Sequence, residues 1–183
     1  MKTAVIYLPK RDSCRLAAEH MMDGLRDEGH DTVLLEMGPA NVPDHTFDFI
    51  ALGCHTGAWG LPMAARRFLK LMDSTWEDKP CASFGTEVYA PGTRPRPQSA
   101  EIILETLIAR GLRPILPPFH ILLCDTLGPP VNGELLRAYR FGRQAGVILK
   151  GLGHRAPGKV SSLEKALRSR YSPGEPTNKR KAS

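Results

Sequence analysis

The sequence has no long apolar run. No stretch approaches the ~18 consecutive apolar residues that a membrane-spanning helix needs. The short apolar start is followed at once by charged residues, unlike a secretory signal peptide. With 183 residues, of which 42% are hydrophobic and 24% charged, the chain has the length and composition of one globular domain. Composition therefore disfavours a membrane-spanning protein and excludes the disordered and collagen-like classes.

Patterns of cysteine and histidine that bind metals are also missing. The cysteines form no C-x-x-C pair, and none lies at zinc-ligand spacing from a histidine. We therefore expect no metal site and predict free thiols in a cytoplasmic protein. Cys14 is predicted in the first turn of a helix beside two arginines, where the pKa of a thiol can fall. No histidine lies next to it in the sequence, so nucleophilic catalysis is disfavoured.

Glycine-rich nucleotide motifs are absent as well. No G-x-G-x-x-G follows the first predicted strand, and no G-x-x-x-x-G-K-S/T occurs. These motifs hold phosphates against the backbone in dinucleotide-binding and Walker-type sites. Both kinds of site are therefore disfavoured.

The net charge of +6 comes from one end of the chain. Residues 1–150 contain 17 Lys and Arg and 17 Asp and Glu, whereas residues 151–183 contain 8 basic and 2 acidic residues. We predict a neutral folded domain over 1–150 and a basic C-terminal tail over 151–183, partly disordered, with a short helix at 161–171. Such a tail is either a solvated end or a weak binder of an anionic partner.

Strands and helices alternate along the domain. Apolar runs rich in β-formers predict strands, and the amphipathic stretches between them predict helices. The strands are predicted at 3–8, 31–36, 47–53, 80–85 and 112–116, with a second segment of the last strand at 119–124. The helices are predicted to start at Asp12 or Ser13, at Pro62, after a Ser99 cap and after an Asn132 cap. This order predicts an α/β three-layer sandwich, a parallel five-stranded sheet with helices on both faces.

Ligands of such sheets bind beyond the carboxyl ends of the strands. The loops to consider are therefore 8–15, 53–61 and 85–98. In the first loop, Lys10, Arg11 and Ser13 precede a helix, which suits a phosphate; the alternative is an ordinary polar turn. In the second loop, Trp59 can stack on a planar ligand or cover a helix end.

The sequence resembles the flavodoxin-like family over roughly residues 2–150. The segment FDFIALGCHTGAWGLPMAARRFLKLMD is similar to the family's third strand, its G-S-P-T, aromatic and W/Y-G loop, and the helix that follows. KPCASFGTEVY and GELLRAYRFGRQAGVIL resemble its fourth strand and its last helix. The resemblance implies a sheet order of 2-1-3-4-5. The matching positions in the first segment are Gly53, Thr56, Trp59, Gly60, Phe68 and Leu69.

The resemblance also implies an FMN cofactor. The family's first loop binds the FMN phosphate, and its second and third loops flank the flavin ring. The residues implied for the phosphate are Pro9, Lys10, Arg11, Asp12, Ser13 and Cys14, after Leu8. The residues implied for one side of the ring are Thr56, Gly57, Ala58, Trp59 and Gly60, and for the other side Gly85, Thr86, Glu87, Tyr89 and Gly92.

The first loop departs from the family pattern S/T-x-T-G-N-T. Only Ser13 keeps a hydroxyl, and Arg11 replaces the turn glycine. Lys10 and Arg11 can hold a dianion by charge, whereas Asp12 repels it. In the second loop, Cys54 and His55 replace the family's Ser and Pro.

Three functions follow from these features. The first is an FMN-binding redox protein that transfers electrons to a partner protein, as flavodoxins do. The second is a NAD(P)H-dependent FMN or quinone reductase, an oxidoreductase of the kind that works as a homo-oligomer; Arg94 and Arg96 in the long third loop suit it. The third is a flavin-free binding or regulatory module that uses the altered first loop and the basic tail.

Overall fold

The computed structural model describes residues 1–10, 12–43, 46–56, 61–72, 76–88, 98–125, 128–153 and 162–171. Strands and helices alternate through most of this chain, as the apolar pattern predicts. The strands are β1 (Lys2–Tyr7), β2 (Asp31–Glu36), β3 (Phe49–His55), β4 (Pro80–Val88), β5 (Arg113–Pro114) and β6 (Phe119–Leu123). The helices are α1 (Asp12–Asp27), α2 (Met63–Leu71), α3 (Ser99–Ala109), α4 (Glu134–Gly153) and α5 (Ser162–Tyr171).

The strands form one parallel sheet in the order β2-β1-β3-β4-β5, which confirms the predicted fold. The fifth position is divided between two short strands. β5 pairs with the start of β4, and β6 pairs with its second half, both in parallel. Pro117 and Pro118 lie between them, and a proline has no backbone N–H to donate to a neighbouring strand. The edge strand is therefore interrupted where the sequence places its second segment.

Apolar side chains cover both faces of the sheet. On one face, α1 and α4 pack over residues such as Val5, Ala51 and Phe84. On the other face, α2 and α3 pack over residues such as Ile6 and Leu52. Alternate residues of one strand point to opposite faces, so each strand contributes to both layers. None of the described helices combines the length and apolar character that a membrane crossing requires.

Two strands extend further than predicted. β3 runs two residues beyond Gly53, and β4 runs three residues beyond Gly85. Both glycines were interpreted as strand ends, but they allow close packing within strands. A Cβ on Gly53 would lie 2.2 Å from the Phe84 ring, and one on Gly85 would lie 2.5 Å from the Ser99 hydroxyl. Cys54, His55, Thr86 and Glu87 are therefore strand residues rather than loop residues.

Two helix caps also differ from the prediction. The N-cap of α3 is Gln98, whose backbone N–H donates to the Glu101 carboxylate at 2.9 Å. The predicted cap, Ser99, is the first residue of the helix. Before α4, Gly133 has a φ of +87°, a conformation that side-chain-bearing residues rarely adopt. The helix starts at Glu134, so Gly133 directly precedes it and the predicted cap Asn132 lies one residue too early.

The folded region includes part of the basic tail. α4 continues to residue 153, and α5 packs against α3 and β5. Leu167 is buried, and Tyr171 packs on the core beneath α2 and α3. Within α5, the Arg168 guanidinium forms an ion pair with the Glu164 carboxylate, with Nε and Oε1 3.2 Å apart. The predicted helix in this part of the chain is thus present.

The closest approach between helices joins α1 to α4. A Cβ added to Gly24 would lie 2.2 Å from the Tyr139 carbonyl oxygen, and one added to Gly142 would lie 2.1 Å from the Met21 carbonyl oxygen. The two backbones therefore touch with no room for a side chain. One turn beyond this contact, Arg143 and Lys150 donate to the Glu28 carboxylate at 2.6 and 2.8 Å. Hydrogen bonds from these two cations lower the pKa of Glu28.

We predict that Gly142→Ala destabilises the protein. The added methyl group must push the α1 backbone away, and forced overpacking of this kind lowers the free energy of unfolding by about 1 to 3 kcal/mol. The measurement is urea denaturation. Gly151→Ala is the matched control, because Gly151 also lies in α4 but a Cβ there meets nothing within 4 Å. Equal stability of the two variants would contradict the tight contact.

Candidate functional site

The first candidate loop lies at the carboxyl end of β1. A pocket of about 440 Å³ opens there between the start of α1 and the segment before α4. The side chain of Ser13 is buried, whereas Lys10 and Asp12 are exposed. Leu8 belongs to the hydrophobic core. The described residues that line the pocket are Pro9, Lys10, Asp12, Ser13, Leu16, Gly128, Pro129 and Pro130.

The electrostatics of this pocket have contributions of both signs. The first backbone N–H groups of a helix have no partner within it and attract anions. The Lys10 ammonium adds a positive charge, and the Asp12 carboxylate adds a negative one. Arg11, which was also predicted here, lies outside the described residues. Among the described residues, the pocket therefore offers amides, one hydroxyl and one cation to an anion, against one carboxylate.

Cys14 does not present its thiol to the pocket. Its side chain is fully buried in the core between the sheet and the α1–α4 layer. Burial is the main cause that raises the pKa of this thiol, followed by the nearby Cys54. The thiol is therefore neutral, and only the backbone of Cys14 can take part in binding. This burial also removes the case for a nucleophilic cysteine at this position.

The second candidate loop begins at Thr56, whose hydroxyl is already engaged. It donates to the Ser99 hydroxyl at 3.0 Å and accepts the Ser99 backbone N–H at 3.1 Å. The Ser99 hydroxyl in turn donates to the carbonyl oxygen of Cys54 at 2.9 Å. These bonds fix the start of α3 against the end of β3. The other predicted residues of this loop, Gly57, Ala58, Trp59 and Gly60, lie outside the described residues.

The third candidate region is the carboxyl half of β4. Gly85 packs against α3, as described above. Thr86 is buried, and its hydroxyl has no hydrogen-bond partner within the described part of the chain. Its carbonyl oxygen accepts the backbone N–H of Thr56 at 2.9 Å. A buried hydroxyl without a partner is unfavourable unless a ligand or water completes it. The remaining predicted residues, Tyr89 and Gly92, lie outside the described residues.

Glu87 belongs to a charged cluster that the sequence analysis did not identify. Its carboxylate lies 3.3 Å from His120 Nδ1, and the Glu101 carboxylate lies 3.1 Å from His120 Nε2. The three residues come from β4, β6 and α3. Because His120 is paired with Gly85 in register, its side chain reaches both carboxylates across the sheet edge. No spacing in the sequence indicates this cluster, since the β4–β6 register and the packing of α3 bring it together.

The two carboxylates control the charge of this imidazole. Glu101, and then Glu87, raise the pKa of His120 to about 9. Burial raises the pKa of Glu101, but its contacts with His120 outweigh burial and leave this pKa below its ordinary value. His120 is therefore protonated at neutral pH. No set of three His, Cys, Asp or Glu side chains in the described ranges is arranged to hold a metal ion, so we interpret the cluster as an ion-pair bridge.

Comparisons with known proteins bear on this architecture. No family model matches the sequence, and no curated protein matches it. Solved structures do match. A flavodoxin from the domain Archaea is 19% identical, with a TM-score of 0.67, covering 82% of this chain and 99% of its own. The chain has the flavodoxin-like fold.

Two further structures agree with this assignment. Oxidised flavodoxin 2 from Bacillus cereus is 22% identical, with a TM-score of 0.65, covering 82% of this chain and 99% of its own. A WrbA-like flavodoxin from Agrobacterium tumefaciens is 17% identical, with a TM-score of 0.61, covering 82% of this chain and 98% of its own. At these identities the likeness establishes the fold, and the predicted cofactor residues stay predictions.

We predict that His120 makes stability depend on pH. Its pKa is about 9 in the folded protein and 6.5 ordinarily, so its contribution is complete below about pH 6.5 and is lost as the pH rises through 9. Over this range the free energy of unfolding should fall by about 1 kcal/mol more in the wild type than in His120→Gln, after allowance for solvent screening. The measurement is urea denaturation at several pH values.

The control for this prediction is His20→Gln. His20 lies on α1, away from the three-residue bridge, and its Nδ1–H donates to the Leu16 carbonyl oxygen at 2.8 Å. This variant should keep the pH profile of the wild type. If His120→Gln also keeps that profile, the bridge does not stabilise the fold through its charge.

Proposed function

We propose that this chain binds FMN and works as a flavodoxin-like redox protein that transfers electrons to a partner. The observation that carries the proposal is the pocket at the start of α1, which lies where a flavodoxin-like sheet receives its ligand. Its size, about 440 Å³, falls in the range of small-molecule sites. The neighbours with the same fold include flavodoxins, which supports the choice of cofactor.

The described residues fit the phosphate end of FMN. The N-terminal amides of α1 would donate to a phosphate bound at the pocket, since α1 begins at Asp12 beside it. The buried Ser13 hydroxyl can donate one hydrogen bond to a phosphate oxygen. Lys10 supplies a positive charge from the exposed rim, and a charged donor strengthens such a bond. Asp12 opposes them, and its carboxylate is the feature of the pocket that least suits a phosphate.

Thr86 supports binding further along the same edge. Its hydroxyl is buried near the carboxyl end of β4 and has no partner in the described ranges. A polar atom of a bound flavin would form a hydrogen bond with this hydroxyl. The loops that the family resemblance places on either side of the ring lie outside the described residues, so Thr86 is the described side chain that we assign to the ring end.

When bound, FMN supplies reversible one- and two-electron chemistry. The chain contributes the binding and the surroundings. Lys10, Ser13 and the α1 amides would hold the phosphate, and the β3 and β4 ends would exclude water on one side. The alternative, a NAD(P)H-dependent reductase, rests on Arg94 and Arg96, which lie outside the described residues. We propose electron transfer because the neighbours with this fold include flavodoxins.

The test compares FMN with riboflavin, which lacks the phosphate. Binding is followed by the quenching of flavin fluorescence. We expect the affinity for FMN to be at least about tenfold higher than that for riboflavin, because only FMN carries a phosphate for the charged pocket. Lys10→Ala should weaken FMN binding several-fold and leave riboflavin binding unchanged. Asp12→Asn should strengthen FMN binding, because it removes the repulsive carboxylate.

Lys70→Ala provides the matched control. Lys70 is an exposed lysine in the last turn of α2, at the end of that helix away from the carboxyl edge, so FMN binding should be unaffected. Equal affinities for FMN and riboflavin would contradict a phosphate site. Absence of quenching at high micromolar flavin would overturn the redox proposal and leave the flavin-free module. If the protein oxidises NADPH while reducing a quinone, the reductase function replaces electron transfer to a partner as the proposed function.

A further inference from the structure

The free edge of the sheet carries a groove that the proposed FMN site does not use. β6 pairs with β4 on one side, and no described strand pairs along its other side, apart from the single antiparallel bridge between Leu123 and Pro130. A groove of about 420 Å³ lies along this edge, between the break in the fifth strand position and α4. Its described lining includes Pro118, Phe119, His120, Arg137, Arg140 and Phe141.

The backbone of the edge strand faces this groove. Leu122 directs its groups away from β4: its N–H donates to the Glu134 carboxylate at 2.9 Å, and its carbonyl oxygen accepts the Val131 N–H at 2.8 Å. Alternate residues of a strand repeat this direction. The N–H and carbonyl groups of His120 therefore also point away from β4. The chain itself supplies partners for Leu122, and the same edge continues past His120 into the groove.

The side chains of the groove are apolar with a positive rim. Phe119 and Phe141 stack with their ring centroids 4.7 Å apart. Arg137 lies over the Phe119 ring at 5.2 Å and also contacts the Glu134 carboxylate at 2.5 Å. Arg140 is exposed, and no carboxylate in the described ranges pairs with it. No Asp or Glu lies among the lining residues. The two glutamate partners of His120 lie outside the groove and exceed its charge by one, so the positive charge of the rim comes from Arg140.

We propose that this groove binds an extended, acidic segment of a partner protein, which adds to the sheet beside β6. Main-chain hydrogen bonds to the open edge at His120 would set the register of the segment against β6, as in other cases of strand addition. The phenyl pair would receive an apolar side chain. An acidic side chain of the segment would pair with Arg140, whose positive charge has no partner in the described part of the chain.

The charge of the groove argues against the chain's own tail as the occupant. Residues 172–183 contain Lys179, Arg180 and Lys181 against the single acidic residue Glu175. Like charges at an interface are unfavourable. The occupant is therefore a segment of another protein, and its acidic residues are the part that this surface selects.

The test uses a fluorescein-labelled peptide of alternating glutamate and valine, an extended sequence with acidic residues on one face. We expect saturable binding by fluorescence anisotropy, weakened about tenfold by Arg140→Glu, which reverses the charge at the rim. Arg67→Glu is the matched control, because Arg67 is an exposed arginine on α2, on the opposite face of the sheet. This variant should bind the peptide like the wild type.

Two further peptides separate strand addition from charge alone. A peptide with the same charges but with proline at every second apolar position lacks the main-chain N–H at each proline and should bind at least about fivefold more weakly. A lysine and valine peptide should not bind. The proposal is overturned if the acidic peptide fails to bind, or if the Arg140→Glu variant binds it as tightly as the wild type does. It is also overturned if the wild type binds the lysine peptide or the proline peptide as tightly as the acidic peptide. The last result would leave a charged patch without strand addition.

Discussion

The backbones of α1 and α4 touch at Gly24 and Gly142, and the candidate pocket depends on this contact. Both helices follow parallel strands on the same face of the sheet, so both begin at its carboxyl edge. One wall of the pocket is the first turn of α1, and the opposite wall is the segment just before α4. The distance between the walls is set by how closely the two helices approach. The Glu28 ion pairs with Arg143 and Lys150 hold the same two helices together one turn further on.

On the other face of the sheet, hydrogen bonds and an ion pair hold the start of α3 near the carboxyl edge. Ser99 bonds to Thr56 and to the Cys54 carbonyl oxygen, and Glu101 contacts His120. These bonds attach the start of α3 to the end of β3 and to the start of β6. The helices on both faces are thus anchored where a ligand would bind, and rigid anchoring of the surrounding elements is what a precise binding site requires. The neutral thiol of Cys14 belongs to this framework rather than to any reaction.

Much of this architecture could be predicted from the sequence, because apolar periodicity reports which faces are buried. The strand order and the helix positions followed from that pattern and from the resemblance to flavodoxins. Gly53 and Gly85 were misinterpreted as strand ends, because the sequence does not distinguish a glycine required by close packing from a glycine that ends a strand. The engagement of Thr56 by Ser99 was equally hidden, since the two residues are 43 positions apart. The same holds for His120 with Glu87 and Glu101, which the β4–β6 register and the packing of α3 bring together.

The central claim is that the start of α1 receives the phosphate of FMN, and phosphorus NMR tests it directly. Free FMN changes its ³¹P shift between pH 5 and 8, because the second pKa of a phosphate monoester is about 6. A phosphate held by the α1 amides and Lys10 should remain dianionic across this range. The account therefore predicts a bound ³¹P resonance, displaced from that of free FMN, that does not move with pH. A resonance that titrates as free FMN does, with saturating protein present, would contradict it.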